Sequence, residues 1–234
     1  MIKAFYSQKI SVGEIISLSD EESHHIFRVL RAQNNESILL LNGAGIAAEA
    51  HVLPSQKIIV DKIISQKPLE IILYASLIKS KAMDFVIREA TAIGVREIVS
   101  VYTKHSEVKI TDTEHKIEHW RNIAREACKQ SGNAYLPKIE APQNLTKIQF
   151  QQPTFVAALH DDAKTINHYY SEIQSHTVGI LIGPEGDFSD EEYAFLSQQG
   201  IHFITLGSHV LRSEIATLYL LSVVDQIKML SSAT

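Results

Sequence analysis

Three short segments of this chain hold residues whose types and order suit chemistry. In Ile182-Gly183-Pro184-Glu185-Gly186-Asp187-Phe188-Ser189 an apolar run ends in two glycines around a proline, and Ser189-Asp190-Glu191-Glu192 then forms a capping box that opens a helix. Glycines at such a place let backbone come close to a ligand, Pro184 stiffens the loop, and unsatisfied amides at the helix start offer donors. The bland alternative is a tight turn with a helix cap. The second segment, Leu206-Gly207-Ser208-His209-Val210-Leu211-Arg212-Ser213-Glu214-Ile215-Ala216, repeats the layout of strand, glycine turn and helix. Arg212 and Glu214 either reach a pocket shared with the first segment or only form an ion pair at the helix start, where acids are favoured. The third, His115-Lys116-Ile117-Glu118-His119, has the H-x-x-E-H spacing of inverted zinc proteases. Among 11 histidines a chance match is cheap, and a solvated polar helix accounts for it. His24-His25 reads in the same way as packing or surface, and no metal is expected.

The elements that must position these residues follow from the hydrophobic rhythm. Residues 1–68 read as a small β-rich module: Ile38 to Leu41, Ile46 to Leu53 and Lys57 to Ile64 are strand-like and are separated by Asn42-Gly43-Ala44-Gly45 and by Pro54-Ser55. Its one helix starts at Ser19-Asp20-Glu21-Glu22, a capping box, with Ile26, Val29 and Leu30 at helical spacing and Arg28 and Arg31 sharing the other face. Beyond Lys67-Pro68, residues 69–234 alternate apolar strands (Ile71 to Ile78, Ile98 to Tyr102, Phe155 to Leu159, Val178 to Ile182, Phe203 to Leu206) with longer helical patterns. That alternation predicts a largely parallel α/β sheet. Helices are expected over Lys81 to Ile93, stopped by Gly94, over Asp112 to Gln130, after Ser189, and over Ser213 to Leu230. The last is apolar nearly all round and so belongs in a core or a subunit interface. Arg121 and Arg125, one turn apart beside Trp120, either face RNA or form an ordinary solvated stripe.

Composition bounds the rest. The chain has 234 residues, 45% of them hydrophobic and 21% charged, an ordinary globular balance that excludes dominant disorder. Its longest apolar runs fall far short of the ~20 residues of a membrane span. Cys128 is the only cysteine, which excludes a disulfide scaffold, and the first residues lack the layout of a secretion signal, so the cytoplasm is the expected compartment. The net charge of −5 argues against gripping nucleic acid by bulk electrostatics. Residues 1–68 are nevertheless balanced, seven basic against seven acidic. Neither a G-x-x-x-x-G-K-[ST] loop nor a glycine fingerprint opening a helix is present, which removes the common nucleotide-binding folds.

The Gly183-Pro184-Glu185-Gly186 loop with Phe188-Ser189, the Leu206-Gly207 turn, and Leu211-Arg212-Ser213-Glu214-Ile215-Ala216 closely resemble the ribosomal RNA small subunit methyltransferase E family. Weaker matches lie at His25 to Arg31, at Lys79 to Val95, at His105-Ser106 with Lys109, at Trp120-Arg121 and at Ala127 to Gly132. The resemblance covers nearly the whole chain. It implies an α/β fold with a C-terminal SPOUT-class methyltransferase domain tied in a deep trefoil knot, an N-terminal PUA-like RNA-binding barrel, S-adenosylmethionine as methyl donor, and a homodimer. The knot runs against the general rule of unknotted chains. By this likeness the cofactor lies against Ile182, Gly183, Pro184, Glu185, Gly186, Leu206, Gly207, Leu211 and Ala216; for RNA the candidates are Arg28 and Arg31, on the polar face of the helix in the RNA-binding module, and Arg121 and Arg125. The substrate is a uridine of 16S ribosomal RNA, naked or in the assembled small subunit, methylated at N3. Asp187, Ile215 and Asn133 stand where the family commonly has glycine, threonine and arginine. They define a rival reading, an RNA-binding protein of the same fold with a degenerate cofactor pocket.

The implied chemistry needs no metal. The sulfonium already activates the methyl group, so the protein has only to align a uridine nitrogen with it. Loss of the N3 proton leaves an anion spread over the flanking carbonyl oxygens. An always-charged arginine, here Arg212, suits its stabilisation, and Glu214 or bulk solvent takes the proton.

Overall fold

The computed structural model describes residues 1–106 and 108–232. Its contacts divide the chain into two compact units, Met1–Pro68 with Ala124–Leu136, and Leu69–Ile123 with everything from Pro137 onward. A single division after residue 68 leaves out that second crossing of the chain.

The first unit is a five-stranded sheet made of β1 (Ile2–Phe5), β2 (Ile15–Ile16), β3 (Ser37–Leu41), β4 (Ile46–Val52) and β5 (Ile58–Ser65), in the order β1-β3-β4-β5-β2. Only β1 and β3 run parallel. Alternate residues of β3 to β5 point inward, so that Ile38, Leu40, Ala48, Val52, Ile58 and Val60 form one core with Ile26. The returning segment closes a second, smaller cluster of Leu41, Ala47, Cys128 and Ala134. Gln66 holds that segment by accepting from the Ala134 amide at 2.7 Å and donating to the Gly132 carbonyl at 3.2 Å.

The helix of this unit departs from the expected amphipathic pattern. The Ser19 hydroxyl accepts from the Glu22 amide at 3.3 Å, but the Glu22 carboxylate, instead of closing the box, pairs with Lys129 at 2.9 Å. The α-helical turn α1 (Asp20–Ser23) then widens into a π-helix over His24–Val29. The wider turn rotates later side chains away from α-helical spacing. Only Ile26 of the expected stripe is buried, and Val29 and Leu30 are 56% and 47% exposed. Arg31 lies beyond the helix at φ 55°, so Arg28 and Arg31, although both exposed, do not share a helical face.

The second unit holds β6 (Leu69–Ser76), α2 (Ser80–Ile93), β7 (Val95–Tyr102), the start of α3 (Thr113–Ser131), β8 (Lys138–Ile139), β9 (Gln143–Asn144), β10 (Thr154–Ala157), β11 (Lys164–Thr165), α4 (Tyr170–Ser175), β12 (Val178–Ile182), α5 (Asp190–Gln198), β13 (His202–Thr205) and α6 (Ser213–Ser232). The sheet order is β11-β13-β10-β12-β6-β7-β8, with β9 also on β7, and every pairing is parallel. Central strands are buried on both faces, as β12 is at all five positions, which is why they read as continuous apolar runs. Gly94, at φ 104°, ends α2 in the left-handed conformation that a side chain would oppose. Along α6, Ala216, Leu220, Leu221, Val224 and Ile227 are buried, but Ile215 and Tyr219 are exposed, so this helix is not covered all round within the chain. No helix among the described residues is long and apolar enough to cross a membrane.

Candidate active site

A parallel sheet sends all its strand ends with the same polarity to one edge, and ligands bind there between the loops. The loops after β10, β12 and β13 meet at that edge around a cavity of about 560 Å³. Every residue expected to hold the cofactor lines it: Ile182, Gly183, Pro184, Glu185 and Gly186 from the loop after β12, and Leu206, Gly207, Leu211 and Ala216 from the loop after β13 and the start of α6. Arg212 and Glu214 line it too. Ala157, Ala158 and Leu159 form a third wall that motif reading missed. Its available signal was the carboxyl end of an apolar strand, the place where a parallel sheet puts its ligands.

The loop after β12 is held from several sides. Asp187 adopts φ 60°, and its Oδ1 accepts from the Phe188 amide and from the Tyr193 hydroxyl, both at 2.8 Å. An aspartate tolerates this left-handed backbone better than most residues. Burial pushes the Tyr193 phenol well above its ordinary value, and the Asp187 carboxylate adds to the shift, so Tyr193 remains the donor. His105, on the turn after β7, bonds through Nδ1 to the Asp187 carbonyl at 2.8 Å. Ser189 forms the complete capping box with Glu192, whose carboxylate also accepts from the Lys104 amide at 2.8 Å. His105, Lys104 and Tyr193 are thus supporting residues whose roles no spacing rule announces.

The glycines divide into two kinds. A side chain at Gly183 would put its Cβ 3.0 Å from the buried Phe188 ring, and one at Gly186 would meet His105 at 3.2 Å. At these two positions, both of which line the cavity, the missing Cβ also makes room for the protein's own packing. Gly207, at φ 131°, has open space where its Cβ would be, and its backbone faces the cavity mouth.

Arg212 caps α6 with its carbonyl, which accepts from the amides of Ile215 and Ala216 at 3.0 and 2.8 Å. Its guanidinium is 85% exposed and 3.9 Å from Glu214, which is only 17% exposed. A pair this long and this open contributes little to stability, as the helix-start ion pair of the alternative reading would. Arg121 and Arg125 do not reach this cavity; the Arg121 guanidinium donates to the Ile139 carbonyl at 3.3 Å. The H-x-x-E-H histidines part company: His119 pairs with Asp84 at 3.0 Å, while the His115 amide is capped by Asp112. Among the described residues no three His, Cys, Asp or Glu side chains come together as a metal site.

Comparison with known proteins places this geometry. Residues 65–225 match the family described as RNA methyltransferase domain, and residues 18–65 match the RNA methyltransferase PUA domain. A ribosomal RNA small subunit methyltransferase E of Borreliella burgdorferi is 30% identical over 223 residues, covering 90% of each chain. The structure of a putative methyltransferase from Legionella pneumophila, in complex with bound S-adenosylmethionine, superposes with a TM-score of 0.83 at 28% identity, over 96% of this chain and 97% of that one. The ribosomal RNA small subunit methyltransferase E of Neisseria gonorrhoeae, also bound to S-adenosylmethionine, gives 0.83 at 25% identity over 97% and 98%. With likeness running through both the five-stranded unit and the unit of the parallel sheet, the chain belongs to the ribosomal RNA small subunit methyltransferase E family.

Proposed function

We propose that this protein methylates N3 of a uridine in 16S ribosomal RNA, using S-adenosylmethionine, in the cytoplasm. The observation that carries the reading is the coincidence of a likeness over 90% of the chain to a small subunit methyltransferase E with a cavity at the strand ends of the region that matches the RNA methyltransferase domain. The cavity suits the cofactor. Its volume lies within the range of about 300–1,000 Å³ typical of small-molecule sites, apolar walls from Ile182, Leu206, Leu211 and Ala216 suit a nucleoside, and the open backbone at Gly207 leaves a cradle that a side chain would narrow. When bound, S-adenosylmethionine supplies a methyl group already activated by the positive sulfur.

The protein's own part is binding, alignment and charge. The pinned loop after β12 gives one rigid wall against which a ligand is oriented. Arg212 donates to the uridine O2 or O4 atom onto which the N3 charge spreads, and Glu214 or bulk solvent takes the N3 proton. Arg28 and Arg31, with Arg121 and Arg125, contact RNA phosphates, which positions the strand without reading its sequence. A second copy of the chain covers the exposed Ile215 and Tyr219 on α6, a reading supported by the apolar character of that face. The trefoil knot is assigned to the C-terminal methyltransferase domain, on family likeness. Incubation of the protein with labelled S-adenosylmethionine and 16S ribosomal RNA, followed by nucleoside mass spectrometry, tests the reading: 3-methyluridine is expected. Absence of cofactor binding by calorimetry leaves the degenerate RNA-binding protein in its place.

A further inference from the structure

A second cavity, of about 290 Å³, lies at the same edge of the parallel sheet, where the chain leaves β6 and enters α2. Its apolar wall is built by Leu77, Ile78 and Met83, and Trp120 of α3 closes one side. Its rim carries Lys109, Lys116, Asp112 and the Ser80 hydroxyl. Ser80 opens α2, whose first turn has no side-chain cap, and its hydroxyl accepts from Lys116 at 3.0 Å. Lys116 is also held 3.3 Å from Asp84 and 5.3 Å from the Trp120 ring centre, so its charge is fixed in place. Exposed Lys109 stands on the opposite lip with no partner among the described residues. Of the two nearby carboxylates, Asp112 caps α3 and Asp84 is held by Lys116 and His119, which leaves Lys109 as the rim charge not already paired among the described residues.

The two cavities follow neighbouring strands. β6 and β12 are parallel neighbours, with Ala75 opposite Ile182, so the loops that follow them leave the sheet side by side. Lys79, between the strand and α2, reaches to 3.7 Å from Glu185 of the first cavity. We propose that the second cavity holds a nucleotide next to the target uridine in the RNA strand, with its phosphate on Ser80, Lys109 and Lys116 and its base or ribose against Leu77, Ile78 and Met83. An apolar wall beside fixed cations matches the two halves of a nucleotide, and the volume, near the lower end for ligand sites, suits a single one. This inference deepens the methyltransferase reading and rests on it for the identity of the strand.

Trp120 is the only tryptophan of the chain, so its emission reports on this wall alone. An unstructured RNA of about ten nucleotides with a central uridine, titrated into the full-length protein, is expected to change Trp120 emission with the same midpoint as the anisotropy of the labelled RNA. Lys109→Glu is expected to weaken RNA binding about tenfold, as loss and reversal of one phosphate contact should, and to shift the midpoint of the emission change by the same factor. Lys109→Arg should keep both signals. Uridine and inorganic phosphate, added separately, should leave the emission unaltered. The proposal is overturned if the parent does not bind the RNA, if RNA binds without disturbing Trp120, if Lys109→Glu binds as the parent does, or if inorganic phosphate alone reproduces the signal. Calorimetry with S-adenosylmethionine tests the methyltransferase reading independently: failure there removes that reading while the RNA titration still decides the site.

Discussion

In the loop after β12, Asp187 is held by Phe188, Tyr193 and His105, Phe188 is 5% exposed, and Ser189 is locked in a capping box. The loop after β13 borders the same cavity with Val210 at 75% exposure, Arg212 at 85%, and only short-range hydrogen bonds such as Ser208 to His209. The contrast teaches a division of labour. On the proposed reading, both walls meet the cofactor, the cross-braced one presenting fixed backbone groups and the more open one also carrying Arg212 towards the RNA base, and local stability follows the density of buried contacts.

The largest expected effect tests the more open wall. Arg212→Ala should lower single-turnover methyl transfer on the order of a hundredfold, about 3 kcal/mol, as loss of one charge-stabilising donor typically does, with cofactor affinity by calorimetry little changed. Near-parental turnover would remove the catalytic role and leave the two loops with no functional difference.

Glycine replacements should sharpen the contrast in stability. Gly183→Val forces a side chain against the Phe188 ring and should cost about 2–3 kcal/mol in denaturant unfolding, the upper part of the range for overpacking. Gly207→Val meets no neighbour, so only its backbone conformation is strained, and about 1 kcal/mol is expected. Equal costs would mean that the two loops are equally rigid.

Tyr193→Phe removes one brace without altering shape. Loss of a hydrogen bond to a carboxylate should destabilise the protein by about 1–2 kcal/mol and weaken S-adenosylmethionine binding several-fold in calorimetry. Unchanged affinity would show that the brace serves folding alone.

The smallest effect is one of pH. Because the folded Tyr193 phenol titrates above its ordinary value of 10.0, the folded state holds this proton more tightly than the unfolded chain does. Its contribution is complete below pH 10 and fades as pH rises through the folded value. Thermal melts should therefore show a steeper alkaline decline in the parent than in Tyr193→Phe, and identical alkaline limbs would contradict the buried donor.

Much of this was legible in the residues. The parallel strands were visible because strands buried on both faces must be continuously apolar, and α2 and α5 because Gly94 and the Ser189 box mark their ends. The two glycine loops could be found as candidate binding loops since their glycines and caps are local requirements of a strand-to-helix turn. The helix after Ser19 was misread for an equally physical reason: Glu22 had two possible partners, its own Ser19 amide and Lys129, and local spacing reveals only the first.

By itself, then, the sequence determined the periodicities, the turns and the inventory of charge, all of which depend on neighbours within a few residues. The tertiary structure alone decided that a side chain at Gly183 would press on Phe188 and one at Gly186 on His105, that residues 124–136 return to the first unit, and that Tyr193 and His105 brace Asp187. Each of these is a meeting of side chains brought together by packing, several of them from distant strands and helices, and no local pattern encodes which partner a folded chain will present.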